Sequence, residues 1–294
     1  MELLHLKYFI RVAERNNISK AAAEFHVVSS AVSNHIKALE QELGVSLFYR
    51  NGNCITLNEN GKILYRHAKT LLRLIDDSKK EISDNSEKLD YELIIATATL
   101  PKLIPHIIQD FKKRYPDIKL RIVQFQKYIN IDDTDCDLLL YSSDARTLAP
   151  HSRTIYEERI GLAVSEQNPL ARQIGVNAKQ MAEEKFIRRS YLSDFRRLTD
   201  KYLNALGIQP ETALISDYPP FINELVASNM GVALLPQLTW LYAREKNIRF
   251  LRIQDVEMFR YINIQWRTAG YLSRAAEIFI RHITDYFQNL ELPE

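Results

Sequence analysis

Residues 29–40, reading SSAVSNHIKALE, restrict the fold of the N-terminal region more than any other segment of the chain. Val32, Ile36, Leu39 and Leu43 recur at i, i+4, i+7 and i+11, which lines them up as one apolar stripe on a helix turning about 100° per residue. Ser30, Ser33, Asn34 and Lys37 fall almost opposite that stripe. A helix with an apolar back and a front of small polar residues can press its front into a major groove. There, short side chains permit close approach and polar atoms meet base edges.

The flanking sequence supports such a helix. Leu6, Phe9, Ile10 and Ala13 give a preceding helix a buried face, and Asn16-Asn17 breaks it. A second helix is expected over residues 19–25 with Ser19 as its cap, and Ala21, Ala22 and Ala23 allow a close crossing. Ser29 is the expected cap of the third helix, and Gly44 its left-handed stop. Residues 47–50 and 54–57 then read as short strands about Asn51-Gly52-Asn53, a hairpin signal. Arg50, just before the turn, is placed to reach a phosphate or the minor groove. The alternative, a plain helical subdomain with a solvated face, leaves the shared register of caps, alanines, polar front and hairpin unexplained. The expected DNA contacts are Lys20, Ser29, Ser30, Ser33, Asn34, Lys37 and Arg50.

Three runs carry a resemblance: Leu6-x-x-Phe9-x-x-Val12-Ala13-Glu14, Ser19-x-Ala21-Ala22, and Ser30-Ala31-Val32-Ser33-x-x-Ile36-Lys37-x-Leu39-Glu40-x-Glu42-Leu43-Gly44-Val45-x-Leu47-Phe48-x-Arg50. With Leu57-x-x-x-Gly61 they resemble, without a gap, the winged helix-turn-helix of the LysR-type transcriptional regulators. Val28-Ser29 stands where that family usually has Ser-Gln, Asn34-His35 where it often has Arg-Gln, and Asn58 where it has a Thr cap. An operator sequence therefore does not carry over.

Charge agrees in direction only. Residues 1–75 hold ten Lys/Arg against six Asp/Glu, an excess of four in a chain whose net charge is +2. An apolar fraction of 46% with 26% charged residues is that of a soluble globular protein. Cys54 and Cys136 lie far apart, outside any metal spacing, and read as reduced thiols of a cytoplasmic protein, with a redox switch as the lesser alternative. No signal peptide is apparent, and no stretch approaches the ~18 apolar residues of a membrane span.

From residue 59 to about 86 there is no proline. Leu64, Ala68, Leu71, Ile75, Ser78 and Ile82 follow heptad spacing, with Leu72 and Leu74 widening the seam. A dimerisation helix over 61–88 is expected, on Leu64, Ala68, Leu71, Ile75 and Ile82. A long helix packed on its own domain is the alternative. Residues 84–88 read as a polar hinge.

Beyond residue 90, strand-like runs at 92–97, 118–123 and 137–141 alternate with an amphipathic helix at 103–115, which argues for an α/β architecture. Leu100-Pro101-x-Leu103-Ile104-Pro105, Phe111-x-x-x-Tyr115-Pro116-x-Ile118 and Leu225-Val226-Ala227-Ser228-x-x-Gly231-Val232-Ala233-Leu234-Leu235-Pro236 resemble the effector-binding region of the same family. The resemblance implies two lobes like a periplasmic binding protein, lobe 1 at about 91–161 and 267–294 and lobe 2 at about 162–266. Only residues 124–136 join the second and third strands, where the family has a longer segment with a helix. Ligands of such sheets sit beyond the strand ends, so Thr97, Thr99, Gln124 and Ser142 from one lobe and Ser190, Ser193 and Tyr218 from the other are candidate effector contacts. Arg188-Arg189 and Arg196-Arg197 can attract an anion; a solvated basic face is the alternative.

Phosphate loops, Gly-x-Ser-x-Gly and His-Glu-x-x-His are absent, and the seven histidines (His5, His26, His35, His67, His106, His151, His282) lack metal-ligand spacing. No enzyme, cofactor or metal is expected. The expected architecture is a winged helix-turn-helix domain at 1–60, a linker helix at 61–88 and a two-lobed α/β domain at 89–294. The reading is a cytoplasmic homo-oligomeric regulator of promoter DNA, dimer or tetramer by the resemblance. A small anionic metabolite between the lobes would reset its DNA-binding heads, and RNA polymerase would be a partner of an activator. A regulator with a degenerate cleft governed by a protein partner, and a cytoplasmic solute-binding protein, remain as alternatives.

Overall fold

Phe9, Val12, Ala21, Val32, Ile36, Leu39 and Ala68 are fully closed to solvent and form one small core. In this computed structural model residues 1–51, 54–86, 89–125, 128–237 and 247–290 are described, and the chain divides into two units, 1–86 and 87–294. The first unit contains α1 (Leu3–Arg15), α2 (Ile18–Glu24), α3 (Ser29–Leu43), the hairpin β1 (Phe48–Asn51) and β2 (Cys54–Leu57), and α4 (Glu59–Asn85). The turn residues Gly52 and Asn53 lie outside the described residues.

Both expected serine caps are displaced. Asn17 caps α2, its side-chain oxygen accepting the Lys20 N–H at 2.9 Å, so Ser19 already lies inside the helix. Val28 occupies the cap of α3 without a side-chain bond, and Ser29 instead donates to Ser19 Oγ at 3.2 Å, tying the starts of the two helices together. Gly44 ends α3 at φ 66°, as expected. Leu43, expected on the buried stripe, is 41% exposed; the chain turns away at Gly44, and Leu47 enters the core in its place. Asn58 starts α4 by accepting the Gly61 N–H at 2.8 Å, while its amide donates to Ser46 O at 2.8 Å.

The expected seam of α4 is split between two faces. Leu64 and Ala68, with Tyr65 and Leu72, pack into the core of their own unit. Leu71, Leu74 and Ile82 are 43%, 51% and 69% exposed, and Ile63 joins them at 50%. The intramolecular packing thus takes the first half of the heptad pattern. Asp84 and Asn85, expected in a hinge, are still helical, and residues 87–88 lie outside the described residues.

The second unit is organised by a mixed sheet in the order β4-β3-β5-β12-β6-β11-β7, with β10 also on β6. These strands are β3 (Glu92–Thr97), β4 (Lys119–Gln124), β5 (Leu138–Ser143), β6 (Ser152–Ser165), β7 (Gly175–Val176), β10 (Ala233–Pro236), β11 (Ile248–Ile253) and β12 (Met258–Trp266). β3 pairs in parallel with both β4 and β5, as the crossover pattern predicts. A separate parallel pair joins β8 (Lys185–Arg188) to β9 (Glu211–Ile215). The helices are α5 (Ile104–Arg114), α6 (Ala178–Ala182), α7 (Asp194–Ala205), α8 (Pro219–Ala227) and α9 (Arg274–Gln288).

Two cores define the lobes. Lobe 1 packs Leu93, Ile95, Ile107, Phe111, Ile262, Ile264 and Phe279; lobe 2 packs Ile160, Leu162, Phe186, Val232 and Met258. The change-over falls inside β6, between Tyr156 and Ile160, and inside β12, between Met258 and Ile262. Residues 262–266, expected in lobe 2, therefore belong to lobe 1, because β12 runs through both lobes. The shortened 124–136 segment holds a 3-10 turn, Ile131–Asp133, among its described residues; Ile131 fills a small core with Ala96, Cys136 and Leu139.

Gly61 lies where α4 meets the hairpin: a Cβ there would run into the Leu47 carbonyl oxygen and stand 2.8 Å from Leu57 Cδ2. That carbonyl already accepts the Asn58 N–H at 3.0 Å and cannot yield freely. Gly61→Ala is expected to destabilise the first unit by about 1–3 kcal/mol. The measurement is hydrogen-exchange protection of α3 and hairpin amides in the full chain, and unchanged protection would contradict this packing.

Candidate functional site

The first unit presents the expected polar face. Lys20, Ser29, Ser30, Asn34 and Lys37 are exposed and Ser33 is half-buried, while Val32, Ile36 and Leu39 of the same helix are closed to solvent. Among the described residues the side chains of Lys20, Ser30, Ser33, Asn34 and Lys37 make no hydrogen bond or ion pair, so their polar atoms face water. Arg50 differs: its Nη2 donates to Glu40 Oε2 at 3.0 Å, and Glu40 Oε1 accepts the Leu47 N–H at 2.8 Å. Glu40 therefore ties the hairpin to α3 and shares the charge of Arg50. His35 turns inward, its ring centroid 4.9 Å from that of His5 and 5.1 Å from that of Tyr8, which fixes α3 on α1. Val28, at the start of α3, is 68% exposed.

In the second unit a cavity of about 630 Å³ opens between the lobes. From lobe 1 come Thr99 and Leu100 after β3, Gln124 at the end of β4, and Tyr141 and Ser142 on β5; from lobe 2 come Arg188 at the end of β8 with Arg189 after it, Ser193 at the cap of α7, Phe195 and Arg196 of α7, and Asp217 and Tyr218 before α8. Five candidates, Thr99, Gln124, Ser142, Ser193 and Tyr218, are thus brought together. Thr97 and Ser190 are not among the lining residues. The Thr97 hydroxyl turns back to donate to Thr99 O at 2.5 Å, and the Ser190 N–H donates to Asp217 Oδ1 at 3.1 Å, so both shape the loops behind the wall. Leu100 is buried with φ 57°, a left-handed conformation that an L-residue adopts at a cost. Its carbonyl accepts the N–H groups of Leu103 and Ile104, and so starts α5 at the cavity.

Charge is concentrated on the lobe 2 side. Arg188 and Arg196 share one carboxylate, Asp200; Arg196 Nε reaches both its oxygens at 2.9 and 2.8 Å, and Arg188 donates to Oδ1. Arg189 has no such bond. Its Nε is closed to solvent without a hydrogen-bond partner, and Asp217 Oδ1 is 3.9 Å away. Burial lowers the pKa of both Arg188 and Arg189, against the pull of Asp200 and Asp217. On lobe 1, Thr99 is 6% exposed and its Oγ1 has no partner. Thr99 Oγ1 and Arg189 Nε, on residues from the two lobes that line the cavity, thus have no protein partner.

Sequence reasoning did not find the groups at the hinge of the cleft. Arg260 on β12 lines the cavity and donates to Glu158 Oε2 on β6 at 2.6 Å, both side chains being buried. Its guanidinium lies 5.6 Å from the Phe195 ring centre. Only the register that sets Arg260 opposite Glu158 could have revealed the pair. Helix α7 also bridges the lobes: Asp194 Oδ2 accepts the Tyr128 N–H at 2.8 Å, and Lys201 donates to Asp144 Oδ2 at 2.6 Å, which holds the Asp144 carboxyl below its usual range.

Among the described residues no helix is long and apolar enough to cross a membrane, and no cluster of His, Cys, Asp and Glu is arranged to hold a metal. Residues 3–62 match the model of the bacterial regulatory helix-turn-helix protein, lysR family, and residues 90–288 match the LysR substrate binding domain. The transcriptional dual regulator GltC of Bacillus subtilis is 28% identical over 297 residues, covering 99% of each chain. A full-length OxyR variant from Pseudomonas aeruginosa superposes with a TM-score of 0.75 at 21% identity, covering 96% of this chain and 94% of that one. Full-length CbnR complexed with its target DNA gives a TM-score of 0.65 at 21% identity, covering 97% and 99%. The two matched models describe regulators rather than enzymes, and between them they span nearly the whole chain: this protein belongs to the LysR family of DNA-binding transcriptional regulators.

Proposed function

We propose that this regulator binds promoter DNA as a cytoplasmic homo-oligomer, through Lys20, Ser29, Ser30, Ser33, Asn34 and Lys37 with a contribution from Arg50. A small molecule bearing an anionic group enters the cleft of the second unit and changes DNA binding. The observation that carries the ligand reading is the pair of unsatisfied groups, Thr99 Oγ1 and Arg189 Nε, on opposite walls of one cavity. The Arg189 side chain is 24% exposed and its Nε is closed to solvent without a protein partner; an anion would supply that nitrogen with a charge-assisted bond. Recognition by a protein partner, with RNA polymerase among the candidates for an activator, would leave both groups unsatisfied. Of the expected effector contacts, Thr99, Gln124, Ser142, Ser193 and Tyr218 are retained; Thr97 and Ser190 act behind them.

The DNA reading separates base contacts from phosphate contacts. Asn34→Ala is expected to cost about 1–3 kcal/mol on the cognate site and little on random DNA. Lys37→Ala should weaken both and flatten the slope of log K against log salt by about 0.9. Arg50→Ala should flatten it less, since Glu40 already holds that guanidinium. Footprinting upstream of the chain's own gene supplies the site, and equal losses on both DNAs for Asn34→Ala would remove α3 from base reading.

For assembly, the outward face of α4 is the interface. Replacing Leu71 and Leu74 together with Glu is expected to shift the full chain towards the monomer in sedimentation while leaving its helicity intact. An unchanged mass would place the interface elsewhere.

The cleft is tested by thermal shift against a panel of organic acids and phosphate esters, repeated with Arg189→Gln. A binder whose affinity falls at least ~10-fold in the variant is expected, from the loss of a charge-assisted bond. Binding indifferent to Arg189 would displace the anion from this wall.

A further inference from the structure

Arg189 and Asp217 both line the cleft, in an ion pair that stays too long for a hydrogen bond. The other guanidiniums of the cavity are closed by hydrogen bonds to carboxylates: Arg188 and Arg196 by Asp200, and Arg260 by Glu158. Asp194 is engaged as well, by Arg197 and by the Tyr128 N–H. Arg189 and Asp217 stop at 3.9 Å, beyond the ~3.2 Å limit of a normal N–H···O bond. The reason is local: Asp217 Oδ1 is fixed by the Ser190 backbone N–H, in the turn that follows Arg189. The Asp217 side chain is 48% exposed, and Arg189 Nε, closed to solvent, has no hydrogen-bond partner. The wall therefore offers one donor cation and one acceptor anion side by side, each with its bonding capacity open.

A purely anionic ligand answers only half of this arrangement. Its charge on Arg189 would stand within a few ångströms of the Asp217 carboxylate, and like charges at that range repel. A ligand with a carboxylate and an ammonium on adjacent atoms answers both halves. We propose that the cleft takes an α-amino acid: the carboxylate binds Arg189, and the ammonium binds Asp217. The side chain runs along Phe186, Phe195, Ile222 and Leu234 towards lobe 1, where Thr99 Oγ1 donates to or accepts from the ligand. This rests on the reading that the cleft is a ligand site with its anion on Arg189, and narrows the class of molecule.

The test is calorimetric titration of the full chain with the common L-α-amino acids, each beside the α-hydroxy acid of the same side chain, which keeps the carboxylate and replaces the ammonium by a neutral hydroxyl. At least one amino acid is expected to bind, and its hydroxy counterpart to bind ~10–100-fold more weakly, the range for losing one bond between charged partners. Asp217→Asn should weaken the amino acid by a similar factor and leave the hydroxy acid within about threefold. Asp217→Ser guards against a folding defect, with the melting temperature as control. A hydroxy acid or simple carboxylate binding as tightly as the amino acid overturns the proposal while leaving the anion on Arg189 in place. Amino-acid binding unaffected by Arg189→Gln overturns both. If no amino acid binds, the ammonium subsite is overturned, and the panel of organic acids and phosphate esters decides the anion reading independently.

Discussion

The cleft depends on the two long antiparallel strands β6 and β12, which run through both lobes and carry the buried Glu158–Arg260 ion pair at the change-over. Backbone ladders pair the strands with one register shift, between Ile262 and Asn263, and the core changes from one cluster to another within a few residues. Removing one partner of a buried pair leaves a naked charge at a cost of about 3–5 kcal/mol. Glu158 and Arg260 are thus committed to each other where neither lobe's apolar core is continuous. Arg260 also lines the cavity, so the floor of the binding site and the hinge are one piece of structure.

Helix α7 lines that cavity and also bonds to lobe 1 and to β12. One side supplies Phe195, Arg196, Thr199 and Leu203 to the cavity wall. Other positions reach outwards: Asp194 to the Tyr128 N–H, Lys201 to Asp144, and the Tyr202 hydroxyl to both backbone groups of Phe259 on β12. The Lys201–Asp144 pair is well exposed and contributes little by itself. The Tyr202 bonds to the strand backbone are the firmer link. A ligand that draws on Arg196 or Phe195 therefore acts on an element anchored in both lobes, which is the kind of two-state coupling a ligand-controlled regulator requires.

In the DNA-binding unit the alternation of buried and exposed positions along α3 was legible from residue spacing alone, because a helix of fixed pitch turns spacing into direction. The same pitch could not say where α3 begins or ends. Asn17 and Val28 took the cap positions expected of Ser19 and Ser29, and Leu43 fell outside the core, because capping depends on how α2 and α3 meet rather than on either helix alone. In α4 the heptad pattern is divided between a buried and an exposed face, since Leu64 and Ala68 are consumed by the helix's own unit.

Local rules accordingly determined the element types, the polar front of α3, the hairpin, and the order of β3, α5, β4 and β5, while the class of protein followed from the family resemblance of the sequence motifs. Five of the seven candidate cleft residues line the cavity, because the strand and helix ends on which they sit open onto it. Only the tertiary structure decided which charges meet. Arg189 and Asp217 are 28 positions apart in sequence, and Glu158 and Arg260 are 102 apart. Their distances are set by strand register and by the turn at Ser190, neither of which has a periodic signature. Burial then gives those pairs their chemical meaning, since a guanidinium in water needs no partner and one closed off from it does.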